Sequence, residues 1–519
     1  MIEKILNNRF FILYLIPFLL GSSTVLSFAP FNFTVINFIV LPLFFYLINF
    51  INRKSKSVYR IKPHRKNLFI FGTVFGFGFY LSGIHWIVNS LTFDENFKIF
   101  IPFGLIFIPL FLSLFISLTL ISIGPYLKLN VPSIFLFSGS FALSDFIRAK
   151  VLTGFPWNLW AYSFSWAIEL LQLLNHIGLF AFNLITITIF MIPSVFFFNI
   201  SFKKKLSTIL LSSMMIFLVS IYGNFSLNKN DQNIKLADKK FYIKVISPNF
   251  ELGYNFTKSE IETRLKKILR YSNPDKNKKT LFVWPEGVFS GFSYYEILEF
   301  KEIFLNNFTK DHLIVFGINR YSINKKGFYN SLIIVNRKLE IIQEYKKQKL
   351  VPFGEFLPFE KWLSKFGLKK VTEGHGSFLK AEKQDNLVVG DLNILPLICY
   401  EIIFPQLTQS AQQTNLIINI SEDGWFGKSI GPSQHFTKAI FRAIEHNSFL
   451  IRSANQGTTA IVDNKGKLIK KLNASETGNI ELEVPLIQNQ NRNKNDLIFF
   501  ILLITYIFVF NLNKKNDYR

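Results

Sequence analysis

The sequence predicts a multispan α-helical membrane domain joined to an α/β domain built as a sandwich or layered sheet; composition, hydropathy and strand patterning agree on it. Half of the 519 residues are hydrophobic, 17% are aromatic and only 18% are charged. That mix is too apolar for a soluble chain of this length. Apolar runs of about 20 residues, enough to cross a bilayer, recur through the first 225 positions. From about residue 240 to 487, short β-rich runs alternate with polar, helix-compatible stretches.

The apolar runs fall near Phe10–Phe28, Phe33–Ile51, Leu68–Leu91, Ile99–Ile123, Val131–Ile147, Ala167–Ile200 and Leu206–Tyr222, with a shorter one at Leu497–Phe510. They predict a seven-helix membrane domain over 1–225, a second domain over 240–487 and a C-terminal transmembrane helix over 496–512. Asp145 and Arg148 interrupt the end of the fifth run. The sixth is longer than one span needs, which implies tilt or an interfacial turn. The first lacks the pattern of a cleavable signal peptide and reads as a retained anchor.

Loop charge predicts orientation. Arg53, Lys54, Lys56, Arg60, Lys62, Arg65 and Lys66 follow the second run, and Lys203, Lys204 and Lys205 follow the sixth. Both loops are expected in the cytoplasm, with Lys514, Lys515 and Arg519 of the tail. The domain over 240–487 then lies outside. The formal charge of +24 would suit a nucleic-acid binder. However, the densest basic stretch sits between two spans, where membrane orientation explains it, and no nucleic acid is expected as a partner.

The predicted strands are Phe241–Ile246, Leu281–Trp284, Leu313–Gly317, Ser331–Val335, Ile394–Ile398 and Leu416–Ile420. Three of them run into polar or reactive groups. Leu281–Trp284 leads to Pro285 and Glu286. Ile394–Ile398 leads to Cys399, Tyr400 and Glu401, followed by an apolar stretch that can begin a helix. Leu416–Ile420 leads to Ser421-Glu422-Asp423-Gly424-Trp425-Phe426-Gly427. Ligands gather at the carboxyl ends of strands in α/β sheets. A further stretch from Tyr345 to Glu355 adds Lys347 and a second carboxylate.

Cys399 is the only cysteine, so the chain forms no internal disulfide. A lone thiol outside the cytoplasm is unusual unless its reactivity is used. Each residue also has a plainer reading: Cys399 as a small buried hydrophobe, Glu286 as a solvated strand end, Lys347 as part of a charged face, and Glu355 as a turn residue. Together they make a coherent set. A thiolate is the nucleophile and calls for a depressed pKa, which an ammonium favours while a carboxylate takes the proton.

Trp284-Pro285-Glu286, Tyr345-x-Lys347-x-x-Leu-Val-Pro-Phe-Gly-Glu355, Ile398-Cys399-Tyr400-Glu401 and Asn419-Ile-Ser-Glu-Asp-Gly-Trp425-Phe-Gly427 resemble the nitrilase (carbon–nitrogen hydrolase) superfamily. With the N-terminal spans and one C-terminal span, the chain is similar to one branch of it, the apolipoprotein N-acyltransferases. Thr153-Gly154-Phe155-Pro156-Trp157, Gly431–His435, Arg442–Glu445 and Arg452–Gly457 strengthen the likeness. The resemblance implies a nitrilase-like αββα sandwich over 240–487 and a Glu-Lys-Cys triad at Glu286, Lys347 and Cys399. It implies supporting roles for Glu355, Tyr400, Glu401 and Trp425. Gly287-Val288 departs from the Ser or Thr then Ala usual after the family's glutamate, and Lys349 stands where many members have His.

The resemblance further implies a ping-pong transfer. Cys399 takes an acyl chain from a phospholipid as a thioester, then passes it to the N-terminal amine of a diacylglyceryl lipoprotein. The place expected is the bacterial inner membrane, with the catalytic domain on the periplasmic side and the protein a monomer. Both substrates are membrane-anchored, so a site held at the bilayer avoids exposing acyl chains to water at about 0.8 kcal/mol per methylene. The aromatic stretch Phe155–Tyr162 fits an interfacial belt. The loops around Trp425 or Phe356–Leu368 suit a lid. No metal-ligand spacing or Gly-rich phosphate loop is present, so no cofactor is expected. Two rivals are a membrane-anchored amidase using water as acceptor and a non-enzymatic transporter or scaffold. The eight spans weigh against the first, and the scarcity of ionisable residues within them against the second.

Overall fold

The computed structural model describes residues 8–55, 62–253, 256–363, 377–408, 414–487 and 496–516. Lys56 and Arg60 of the basic loop, residues 364–368 of the second lid candidate and Arg519 of the tail lie outside the described residues. The chain divides into two compact units: Met1–Val88 with Lys98–Ser226 and Lys494–Arg519, and Asn89–Phe97 with Leu227–Asn493.

The first unit is helical. Its long helices are α1 (Asn37–Ser55), α2 (Lys62–Ile84), α3 (Ile101–Ile123), α4 (Val131–Lys150), α5 (Leu174–Met191) and α6 (Phe202–Lys235, of which the residues to Ser226 belong to this unit), with a C-terminal helix over Leu497–Asn516. Among the described residues, 34–53, 64–92, 95–126, 174–197 and 202–235 are long and apolar enough to cross a membrane; 11–27 and 497–512 are shorter apolar helices. The chain is a multipass membrane protein. Glycine lets backbones approach closely. A Cβ on Gly78 would lie 2.5 Å from the Phe18 carbonyl oxygen, and one on Gly21 would strike that of Phe75. Phe44 fills the centre against Phe71, Phe75, Phe137 and Phe141. The long sixth run resolves into a short helix at Ile168–Leu171 and a kinked α5, where Gly178 adopts φ 78°.

The charges that interrupt the fifth run are buried and paired. Arg148 Nη2 lies 2.8 Å from Asp145 Oδ1, and Asn183 donates to Asp145 Oδ2 at 3.0 Å. Arg148 also donates to the Phe155 carbonyl, and the Ala161 N–H donates to Asn183 Oδ1 at 3.0 Å. This lattice satisfies irregular backbone inside an apolar unit, where each orphan polar group costs several kcal/mol. The aromatic loop is therefore not an exposed belt. Trp157, Leu159, Trp160, Tyr162 and Phe164 are all buried, and only Trp166 is exposed. Arg148→Met is expected to destabilise the unit by about 3–5 kcal/mol, seen as a lower melting temperature in detergent. An unshifted melting temperature would show that the pair is not holding the loop.

The second unit is an αββα sandwich. One sheet has the order β12-β1-β2-β3-β4-β5 and the other β11-β10-β9-β8-β7-β6. The first contains β1 (Lys240–Ser247), β2 (Thr280–Val283), β3 (His312–Ser322), β4 (Gly327–Val335), β5 (Ile341–Lys346) and β12 (Gly478–Pro485). The second contains β6 (Leu387–Val389), β7 (Leu392–Ile398), β8 (Leu416–Glu422), β9 (Phe449–Asn455), β10 (Thr459–Val462) and β11 (Leu468–Leu472). β1, β2 and β3 run parallel, as do β7, β8 and β9.

Alternation explains the layers. Ile243, Val245, Leu281, Val283, Ile418, Ile420 and Ile451 meet between the sheets. Phe282, Trp284 and Phe316 face the other way, against Ile261, Leu265 and Ile268 of helix α7 (Lys258–Ser272). Helix α8 (Gly431–His446) belongs to the opposite outer layer. Because both faces are covered, the central strands read as continuous apolar runs. The parallel strands end on one edge of the unit; Ser453 of β9 donates to the Ile246 carbonyl of β1 at 2.7 Å, aligning the two sheets there.

Candidate active site

Glu286 lies three residues beyond β2, and Lys347 directly follows β5. The antiparallel steps β3 to β4 and β4 to β5 bring β5 back to the direction of β3. Cys399 ends β7 with φ 48°, a left-handed conformation rare outside glycine, and starts a tight turn over Cys399–Ile403 rather than an α-helix. That turn leaves the thiol where Glu286 and Lys347 both act on it electrostatically.

The carboxylates are organised around Lys347, whose side chain is 1% exposed. Its Nζ lies 2.8 Å from Glu355 Oε1 and 3.6 Å from Glu286 Oε1. Asn330 of β4 donates to both acids, at 2.8 Å each, and the Val351 N–H donates to Glu355 Oε2 at 2.9 Å. Burial alone would lower the Lys347 ammonium, but Glu286 and Glu355 more than offset it and hold the pKa above its ordinary value. The second oxygen of Glu286 is buried and has no hydrogen-bond partner. A buried acceptor left open beside a thiol is a place for a proton.

The thiol is not the depressed-pKa group the sequence suggests. Burial and Glu286 push Cys399 up, and Lys347 pulls it back only in part. Burial therefore favours the neutral thiol in a site that Glu286 and Lys347 both act on.

Glu401 holds the turn behind the thiol. It accepts from the N–H groups of Gln348 (2.7 Å), Lys349 (3.0 Å) and Ile398 (2.9 Å) and from the Tyr345 hydroxyl (3.0 Å). These contacts fasten the Lys347 segment to the Cys399 turn. Burial pushes Glu401 up to about 7, against the lowering by those N–H groups and Lys347. Between the ordinary carboxylate pKa and about 7 the folded chain holds a proton that the unfolded chain has released. This contribution is thus full below that window and lost as pH rises through it. Glu401→Gln cannot ionise, so its melting temperature minus that of wild type should rise from about pH 5 to about pH 8. A flat or falling difference would place the carboxyl elsewhere.

Tyr400 stacks edge-on to Phe404 at 4.9 Å, and Trp425 to Phe93 at 5.1 Å. The loop after β8 is anchored by Asp423, which accepts from Ser421 (2.6 Å), His435 (3.0 Å) and Arg452 (2.7 Å). Arg452 and His435 overcome the effect of burial and hold Asp423 well below the carboxylate range. The structure thus brings together Glu286, Lys347, Glu355, Cys399 and Glu401. It adds Asn330, Glu422 and the Asp423 cluster, for which the sequence suggested no role.

The Carbon-nitrogen hydrolase family matches residues 251–491, and the Apolipoprotein N-acyltransferase N-terminal domain matches 20–192. The Apolipoprotein N-acyltransferase of Rickettsia typhi is 33% identical over 513 residues, covering 95% of this chain and 98% of its own. That of Rhizobium etli is 29% identical over 480 residues, covering 89% and 88%. Among solved structures, Saccharomyces cerevisiae Nit3 of the nitrilase superfamily aligns with TM-score 0.36 and 16% identity, over 48% of this chain and 91% of its own.

Proposed function

This chain belongs to the apolipoprotein N-acyltransferase family, and from that premise we propose how its own residues carry out the N-acylation of lipoproteins. Cys399 is the nucleophile, Glu286 the base and Lys347 the cation that stabilises the oxyanion. The observation that carries the reading is the open Glu286 oxygen beside a buried neutral thiol and a buried ammonium.

In the first half-reaction Glu286 takes the thiol proton while sulfur attacks the ester carbonyl carbon of a phospholipid. Negative charge gathers on the carbonyl oxygen. Lys347 faces it from a water-poor setting, where a good donor contributes roughly 3–4 kcal/mol. The carbon–oxygen bond breaks, and the proton on Glu286 passes to the departing lysophospholipid alkoxide, leaving a thioester. In the second half the free α-amine of a diacylglyceryl-cysteine lipoprotein attacks. Its proton goes to Glu286, the carbon–sulfur bond breaks, and the sulfur regains the proton as the amide forms. An amide is more stable than a thioester, so the transfer runs downhill. Glu355 and Asn330 hold Lys347 and Glu286 in register, and Glu401 fixes the turn that bears Cys399.

The basic residues where α1 gives way to α2 and at the start of α6 support a cytoplasmic-membrane protein with the αββα unit on the periplasmic face. We take the acting species to be the monomer, because every group in the scheme comes from one chain. Purified protein in phospholipid vesicles, given a diacylated lipopeptide, should yield a lipopeptide heavier by one acyl chain in amide linkage. Hydrolysis of small amides without acyl transfer would favour the amidase reading instead.

A further inference from the structure

Glycine at 287 leaves a gap beside the base, and the structure shows what fills it. Gly287 adopts φ 80°, and a Cβ placed on it would lie 2.6 Å from Glu422 Oε2. Glu422 is 5% exposed. Asn455 of β9 donates to both of its oxygens, at 3.0 and 2.9 Å, and the Gly424 N–H donates to Oε1 at 3.2 Å. On the other side of the same peptide, Arg264 of α7 approaches the Gly287 carbonyl at 3.5 Å, its guanidinium sandwiched between Phe250 and Phe256. The backbone of Glu422 completes the link: its carbonyl oxygen lies 4.0 Å from Cys399 Sγ, within reach of an S–H donor.

We propose that Glu422 is a positioning residue that couples the base to the nucleophile. Its side chain takes the space left by Gly287, and its backbone carbonyl sets the direction of the Cys399 S–H. The inference rests on the roles proposed above for Glu286 and Cys399. One residue thus touches both halves of the proton transfer, the peptide after Glu286 through its carboxyl and the thiol through its carbonyl. A shift of either alters the distance the proton must cross, and misplacement by about 1 Å costs about 100-fold in rate. Burial pushes the carboxyl well above the ordinary range, against the hydrogen bonds from Asn455 and Gly424, and Glu286 adds to the rise. A neutral acid of this kind is matched in shape and charge by glutamine.

The test uses the full chain in vesicles of phosphatidylethanolamine and phosphatidylglycerol, following the rate of acyl-adduct formation on Cys399 against donor concentration. Glu422→Ala should lower the limiting rate about 100-fold with little change in the donor concentration at half-rate. Glu422→Gln should stay within about threefold of wild type, and Glu422→Asp, one methylene too short, should fall between. Backbone strain at Gly287 cancels in a double-mutant cycle. Gly287→Ala should therefore cost about 10-fold less in the Glu422→Ala background than alone. A wild-type rate in Glu422→Ala, an additive cycle, or a Glu422→Gln as slow as Glu422→Ala would each overturn the inference. If Glu422→Ala does not fold, the Gln and Asp variants decide it, and equal rates for those two overturn it. Failure of wild type itself to form any adduct would instead remove the proposed function on which this rests.

Discussion

Cys399→Ala is expected to lose acyl transfer by on the order of 10⁴-fold or more, with diacylated lipoprotein accumulating in cells that carry only this variant. The size follows from the part the sulfur plays. In the scheme above it attacks, carries the acyl group between two membrane-bound substrates, and leaves. No other side chain in the described site offers a nucleophile with those properties. Cys399 is the only cysteine in the chain, and the Ser421 hydroxyl beside it donates to Asp423 at 2.6 Å rather than to a base that could activate it. Cys399→Ser should be nearly as inactive, because a hydroxyl beside the same base is harder to deprotonate and its ester a poorer acyl donor. Neither variant should unfold the unit, because each changes one buried atom in a turn that Glu401 holds through the Gln348, Lys349 and Ile398 N–H groups. Western analysis of lipoprotein mobility with a thermal melt of the variant checks both statements. Undiminished triacylation in either variant would remove Cys399 from the chemistry.

Glu286→Gln is expected to slow adduct formation about 10³-fold and to change its pH profile. The thiol is held up by burial and by Glu286 itself, so little thiolate forms without a base. Glutamine keeps the outline of the side chain and an oxygen for the Asn330 hydrogen bond, but has no basic oxygen for the proton. Removing the negative charge also relieves one cause of the raised thiol pKa. The variant should therefore gain activity steadily as pH rises, because the thiolate fraction grows with pH even for a thiol that burial holds up, while wild type stays level. Single-turnover rates across pH read this directly. A variant as fast as wild type near neutrality, or one with no rise at high pH, contradicts the assignment of Glu286 as base.

The fold was legible where local chemistry and tertiary environment agree. Long apolar runs have few alternatives to membrane helix, and Leu281–Trp284, Ile394–Ile398 and Leu416–Ile420 are buried on both faces, so they read as strands from composition alone. β9 did not. Arg452, Ser453 and Asn455 lie in a fully buried strand and pair with Asp423, the Ile246 carbonyl and Glu422, partners that are distant in sequence. The aromatic loop was misread for the same reason: an exposed belt and a loop sealed by Arg148 share one composition.

At the site, Glu286, Lys347, Glu355, Cys399 and Glu401 could be named because the resemblance carried them residue by residue. Their protonation could not. The thiol's neutrality depends on how completely Cys399 is enclosed and on which oxygen of Glu286 is left open. The part of Glu422, visible only as a member of the polar loop after Ile420, could not be read for a related reason. Its part depends on an absent side chain at position 287, which becomes meaningful only once β2 and β8 are side by side across the sandwich.

The most direct measurement is the intact mass of the purified protein after exposure to phospholipid vesicles without acceptor. The scheme predicts a gain of one acyl chain located at Cys399, released by hydroxylamine and discharged by a diacylated lipopeptide as its amide. Efficient N-acylation of that lipopeptide by a protein that never carries the added mass would contradict a thioester route.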